Sequence, residues 1–209
     1  MLPSLSMNET APEPAEPVDG RRARRARGRA AVVEATIDLV LEGFSPPTVE
    51  QVADRAGVST ASVFRYFDTL DELRDETTRR YFQRFAHLLE IPEIGEGTLE
   101  ARITRFVDIR HELYTATAPM ARLVRNRASK VAALHDILHQ HREVMAGDIR
   151  RHFGAELDGL GAVFRGEMVG TIATLTSFES WSELTEDHRR TPAQIRRGWA
   201  RALSLLLTG

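Results

Sequence analysis

TVEQVADRAGVSTASVFRYFDTLDEL, residues 48–73, reads as two short helices hinged at Gly57. Thr48 can accept a hydrogen bond from the free amide three residues on, and Gln51 can reach back, which is the T-x-x-Q capping box that starts a helix. Val49, Val52, Ala53 and Ala56 then fall at helical spacing and give that helix a narrow apolar face. Gly57 follows directly and can take the left-handed conformation that ends a helix. Val58 is placed to plug the corner, and Ser59 or Thr60 to cap the second helix. The second helix is expected to carry Ser59, Thr60 and Ser62 outward and Val63, Phe64 and Phe67 inward. The major groove of DNA admits one α-helix, so a small polar leading end points to a DNA-reading helix-turn-helix. On spacing alone, an αα-corner inside an ordinary helical domain fits equally well. Arg65 and Tyr66, at the far end of the second helix, tip the balance, because both residue types donate well to phosphate.

Upstream lies RRARRARGR, residues 21–29, with six arginines in nine positions. A flexible arm of this kind, carrying Arg24, Arg25, Arg27 and Arg29, can follow phosphates or enter a narrow minor groove. The alternative is a solvated helix start whose charge only aids solubility. The net charge of −2 over 209 residues is near neutral, so any attraction to DNA must be local. The absence of cysteine excludes disulfides and thiolate zinc sites. No apolar run approaches the length of a bilayer span and no signal-peptide core opens the sequence, so a cytoplasmic location is expected.

Residues 1–20 mix proline, acid and small polar residues and are expected to be a disordered tail, followed by a basic arm at 21–29. Val33, Ile37, Val40, Leu41 and Phe44 predict a helix from about Ala30 to Gly43, and residues 30–73 are expected to form a three-helix unit. The core of that unit is thin and should lean on the helices beyond residue 73. Residues 74–209 read as helical throughout. One helix is expected to about Leu89, broken by IPEIGEG at 91–97, and another from Thr98. A short separate helix is expected after Pro119, and a longer one over about 131–153. A single small-residue helix is expected over about 160–181, and a last one from Thr191-Pro192, a cap followed by proline at the first helical position. The fold class is all-α.

With its apolar first helix, then TVEQVADRAGVS, then FRYF and the Asp71-Glu72-Leu73 step, the chain resembles a TetR-family transcriptional regulator over residues 30–73. The resemblance implies an N-terminal helix-turn-helix domain and a larger helical domain that binds a ligand and dimerises. It places base reading at Ser59, Thr60, Ala61 and Ser62, with Thr48 and Tyr66 at phosphates. Two positions depart from the family: Phe64 replaces a common tyrosine and Leu70 a common lysine, which removes a hydroxyl and a cation.

The function implied is that of a dimeric, sequence-specific regulator, a repressor released by a small-molecule effector. Its partner would be double-stranded DNA with a near-palindromic site, as twofold symmetry requires. Phe106, Arg110, Leu113, Tyr114, Met120, Leu123, Met145, Phe164 and Met168 are the expected effector-pocket residues. Gly166, Gly170 and Thr174 allow close helix approach, and with Trp199, Leu203 and Leu206 they are the expected dimer interface. No cofactor, catalytic residue or metal site is expected. Two rivals stand beside this reading. His135 and His139, one helical turn apart, could serve a metal-dependent hydrolase, although no H-E-x-x-H or G-x-S-x-G order is present. The losses at Phe64 and Leu70 would also fit a helical adaptor with weakened DNA affinity.

Overall fold

The chain caps most of its own helices. The side chains of Thr48, Ser59, Thr69, Thr98, Ser177 and Thr191 each accept a hydrogen bond from the backbone amide three residues on. Each satisfies one of the donors that a helix start leaves free, worth about 1 kcal/mol apiece. The computed structural model describes residues 18–43 and 46–209. Its helices are α1 (Val18–Leu41), α2 (Val49–Ala56), α3 (Thr60–Tyr66), α4 (Leu70–Arg84), α5 (Leu99–Ala128) and α6 (Ala132–His152). They continue as α7 (Gly154–Leu157), α8 (Ala162–Leu175), α9 (Phe178–Glu186) and α10 (Pro192–Thr208), with a 3-10 turn at Ala86–Leu88. No strand occurs among the described residues.

Two hydrophobic cores organise these helices. The first joins Val33, Ile37 and Val40 of α1 to Val52 of α2, Val63 of α3, Phe67 and Leu73. It is closed by Tyr81 of α4 and by Met120 and Val124 of α5. A ladder of ion pairs ties α1 to α4: Arg80 to Glu34, and Arg84 to Glu34 and Asp38. The second core packs Phe106 and Tyr114 of α5 against Ile149 of α6, Phe153, Ile172 of α8 and Trp181 of α9, together with Trp199 and Leu203 of α10. Helix α4 runs unbroken through position 73–74 and serves the first core at both ends, through Leu73 and Tyr81.

Three expectations are corrected. The arginine run at 21–29 is helical, because α1 begins at Val18 rather than near Ala30. Alanine and arginine are both strong helix formers, and nothing in the run stops a helix propagating backward. Pro119 does not end a helix; α5 passes through it for 30 residues. Proline costs roughly 3 kcal/mol inside a helix, but burying Met120 and Val124 just beyond it returns about 1.5–3 kcal/mol each. The helix expected over 160–181 is two, broken at Thr176-Ser177, where Ser177 caps α9 and Thr176 Oγ1 donates back to the Ile172 carbonyl. That break turns Phe178 and Trp181 into the second core. Of the expected disordered tail at residues 1–20, residues 18–20 are instead the start of α1, and residues 1–17, like Phe44, lie outside the described residues.

Candidate nucleic-acid interface and interior cavity

Thr48 and Gln51 form the reciprocal box: the Thr48 amide donates to Gln51 Oε1 at 2.8 Å, and the Gln51 amide to Thr48 Oγ1 at 3.3 Å. Gly57 sits at φ 67° and ψ 34° and donates to the Ala53 and Asp54 carbonyls, so the chain reverses within a single residue. Ser59, not Thr60, then caps α3; its Oγ accepts from the Ser62 amide at 3.2 Å. Val63 and Phe67 are buried, while Ser59, Thr60, Ala61, Phe64 and Arg65 are exposed. Arg65 donates to Ser62 Oγ at 2.9 Å, which holds the guanidinium along the exposed face.

Phe64, expected inward, points outward and is 55% exposed. The signal is present in the sequence: Phe64 lies four residues after Thr60 and so shares its helix face. Tyr66 is half-buried because its ring packs on α1 at Gly28, where a Cβ would overlap the Tyr66 hydroxyl. This close approach sets the exposed Arg24, Arg25 and Arg27 beside the end of α3.

Arg29 departs from the expected arm. It bonds Glu76 and Glu72 of α4, donates to the Tyr66 carbonyl at 2.7 Å, and lies over the Phe67 ring at 4.2 Å. The hydrogen bond to Arg29, with help from the Asp68 amide, holds the Glu72 carboxyl below its usual range. Arg29 therefore fastens α1, α3 and α4 together.

Within the helical bundle a cavity opens in two adjoining lobes that share Tyr114, Arg125, Leu138, His141 and Phe178 as walls. The smaller, about 60 Å³, is walled by Tyr81, Phe82 and Phe85 of α4 and its capping residue, with Leu113 and Met120 of α5. The larger, about 300 Å³, is walled by Arg110, Met145, Arg142, Thr174 and Glu179. Glu179 pairs with Arg125 at 3.0 Å and Arg142 at 3.2 Å. Burial, reinforced by Arg110, Arg125 and Arg142, pushes His141 down to about 4. Tyr114 donates to the Thr176 carbonyl at 2.8 Å, and burial raises its phenol to about 12.

Of the expected pocket residues, Arg110, Leu113, Tyr114, Met120 and Met145 line this cavity. Phe106 does not: it is fully buried against Phe153 and His152. Leu123 lines a separate groove by α1 and α4, Met168 packs into the second core, and Phe164 is exposed. Sequence reasoning misses the α4 and α9 walls and finds Met145 alone on α6; the break before α9, which turns Phe178 inward, has only Thr176-Ser177 as its signal. Among the expected dimer residues, Gly166, Gly170 and Thr174 are exposed on α8. Trp199 and Leu203 fill the subunit's own core, Leu206 packs against it, and Leu205 is the exposed leucine of α10. His135 and His139 are exposed on α6, and no group of three or more His, Cys, Asp or Glu able to hold a metal occurs among the described residues.

An exposed, capped α3 on a small core, joined to a helical bundle with a cavity, defines the class of proteins with an N-terminal helix-turn-helix unit and a larger helical C-terminal part. Residues 32–77 match the model of the bacterial regulatory proteins of the tetR family. A similar curated relative is the HTH-type transcriptional repressor KstR2 of Rhodococcus jostii, 26% identical over 112 residues; the match covers 51% of this chain and 53% of that protein, about half of each. A tetR-family transcriptional regulator from Streptomyces coelicolor superposes with a TM-score of 0.66 at 18% identity, over 85% of this chain and 81% of that one. A transcriptional regulator from Rhodococcus sp. Rha1 does so at 0.61 and 19%, over 88% and 96%. Over residues 32–77 the chain is similar to the bacterial regulatory proteins of the tetR family, and its all-helical fold is similar to that of the solved regulators.

Proposed function

We propose that this regulator is a cytoplasmic homodimer that binds a near-palindromic double-stranded DNA site and represses transcription until a small molecule enters its cavity. The observation that carries the reading is the exposed face of α3, from Ser59 to Arg65, on a segment anchored in the first core through Val63 and Phe67. Ser59, Thr60, Ala61 and Ser62 would meet base edges, while Thr48, Arg65, Tyr66 and the exposed Arg24, Arg25 and Arg27 would meet phosphates. Arg29 is left out of that set because its donors are spent on Glu72, Glu76 and Tyr66. No helix among the described residues is long and apolar enough to cross a membrane. The curated relative's name as a repressor supports repression over activation.

Helix α4 offers the coupling. One end follows α3 directly, and the other lines the cavity through Tyr81 and Phe82. A ligand that shifts α4 would tilt α3, and a typical coupling of about 1–3 kcal/mol would release DNA. For the dimer, α8 presents Gly166, Gly170 and Thr174 beside exposed Val163 and Phe164, with α10 packed next to it.

The test is selection of bound sequences from a random DNA pool, followed by comparison of variants on the selected site. Thr60→Ala and Ser62→Ala are expected to change base preference, and Tyr66→Phe to weaken all sites alike. Failure to select any sequence, or the same effect from all three variants, would refute the assignment.

A further inference from the structure

We propose that the cavity takes an amphipathic carboxylic acid, its carboxylate on the Arg110 guanidinium and its apolar body directed into the α4-side lobe. The proposal rests on reading this cavity as the effector site. Arg110 is 1% exposed, yet it is poorly partnered. Its one hydrogen bond among the described residues, to the Met145 carbonyl, is 3.5 Å long, and the Asp148 carboxylate stands 3.9 Å away. Asp148 is itself bonded to Arg151 at 2.5 Å.

A buried guanidinium with five donors is costly unless its charge and donors are met, so a site that leaves them open inside a cavity favours an acceptor anion. Several of the other polar groups around the larger lobe are already occupied. Tyr114 bonds the Thr176 carbonyl, Thr176 bonds the Ile172 carbonyl, and Arg125 and Arg142 share Glu179. The lobe still carries three arginines to one carboxylate. The planar fork of arginine fits a carboxylate through two parallel bonds, which an alcohol cannot provide. The adjoining lobe supplies mainly aromatic and aliphatic wall, including Phe82, Phe85 and Phe178, suited to an apolar chain or ring.

The experiment titrates the full-length protein with decanoate and with decanol, reading the fluorescence of Trp181 and Trp199, which pack on Tyr114 at the cavity wall. Decanoate is expected to bind at least tenfold more tightly than decanol. Arg110→Met is expected to lower decanoate affinity at least tenfold, to leave decanol unchanged, and to melt no lower than wild type without ligand, since an apolar side chain of similar size relieves the buried charge. Equal affinities, no binding of either probe, or an unchanged decanoate affinity in Arg110→Met would overturn the proposal. So would a large loss of ligand-free stability, which would make Arg110 a structural partner of Asp148. If that variant does not fold, the wild-type comparison decides alone. DNA selection run in parallel separates the two readings: DNA binding without decanoate binding sinks the ligand class only, and decanoate binding without any selected DNA sinks the regulator reading only.

Discussion

Gly28 and Tyr66 govern how the arginine run meets the end of α3. Glycine inside a helix costs about 0.5–1 kcal/mol relative to alanine, so Gly28→Ala gains helix stability while its Cβ displaces the Tyr66 hydroxyl. The ring end can swing, so the two effects nearly cancel. The thermal midpoint is expected to stay within about 5 °C, while DNA affinity falls severalfold on every sequence alike. A change of base preference, seen by repeating the selection with the variant, would contradict this.

A second residue-scale prediction concerns pH. His152 is fully buried, its Nδ1 accepting from the Gly95 amide at 3.2 Å and its Nε2 facing the Arg102 carbonyl at 2.9 Å, the pattern of a neutral ring. Burial lowers the pKa of His111, His141 and His152 below the ordinary 6.5. In the unfolded chain these rings protonate near 6.5, so between that pH and their folded values unfolding takes up protons. Stability is therefore expected to be flat above about pH 6.5 and to fall as pH drops from 6.5 toward 4.5. In that window the lowered carboxylates, Glu42, Glu72 and Glu179, contribute little, because their ordinary value is 4.5. Urea unfolding at a series of pH values checks it; a flat profile down to pH 5 would be the wrong outcome.

At the scale of the element, α4 and α5 both run from the first core to the cavity, and α4 is the one that follows α3 directly. Tyr81 Oη donates to the Thr117 carbonyl at 3.2 Å in a buried position and ties α4 to α5. Tyr81→Phe is expected to cost about 1 kcal/mol of stability and to leave ligand-free DNA affinity within about twofold. It should also reduce the ligand's effect on DNA, measured as the ratio of affinities with and without ligand. An undiminished ratio would place the coupling elsewhere.

Helices were the more legible part of the sequence. The Thr48 and Thr191 boxes, the Gly57 turn and the Ser59 cap are local chemistry, written within four residues. Elements whose fate depends on distant packing were misread. Pro119 sits inside α5 because Met120 and Val124 are wanted in the first core, and α8 ends early because Phe178 and Trp181 are wanted in the second.

For the whole molecule the deciding surface is the face of α8. A Cβ at Gly170 would meet nothing within 4 Å in the single chain, and leucine is the better helix former by about 0.8 kcal/mol. Gly170→Leu should therefore leave the subunit at least as stable. If that face packs closely on a second copy, the variant should instead run as a monomer in light scattering and lose most of its DNA affinity. A persistent dimer would move the interface off α8.

By itself the sequence determined an all-helical chain, the Thr48 and Thr191 capping boxes, the Gly57 turn and a second short helix opening at Ser59 or Thr60. These are decided by bonds between neighbours. Only the tertiary structure decided that Arg29 is a fastener rather than a free cation, that Trp199 and Leu203 are core, and that Arg110 stands nearly alone inside a cavity. Each of those depends on which residues from far along the chain arrive to remove water or supply a partner, and periodicity within one helix carries no record of that.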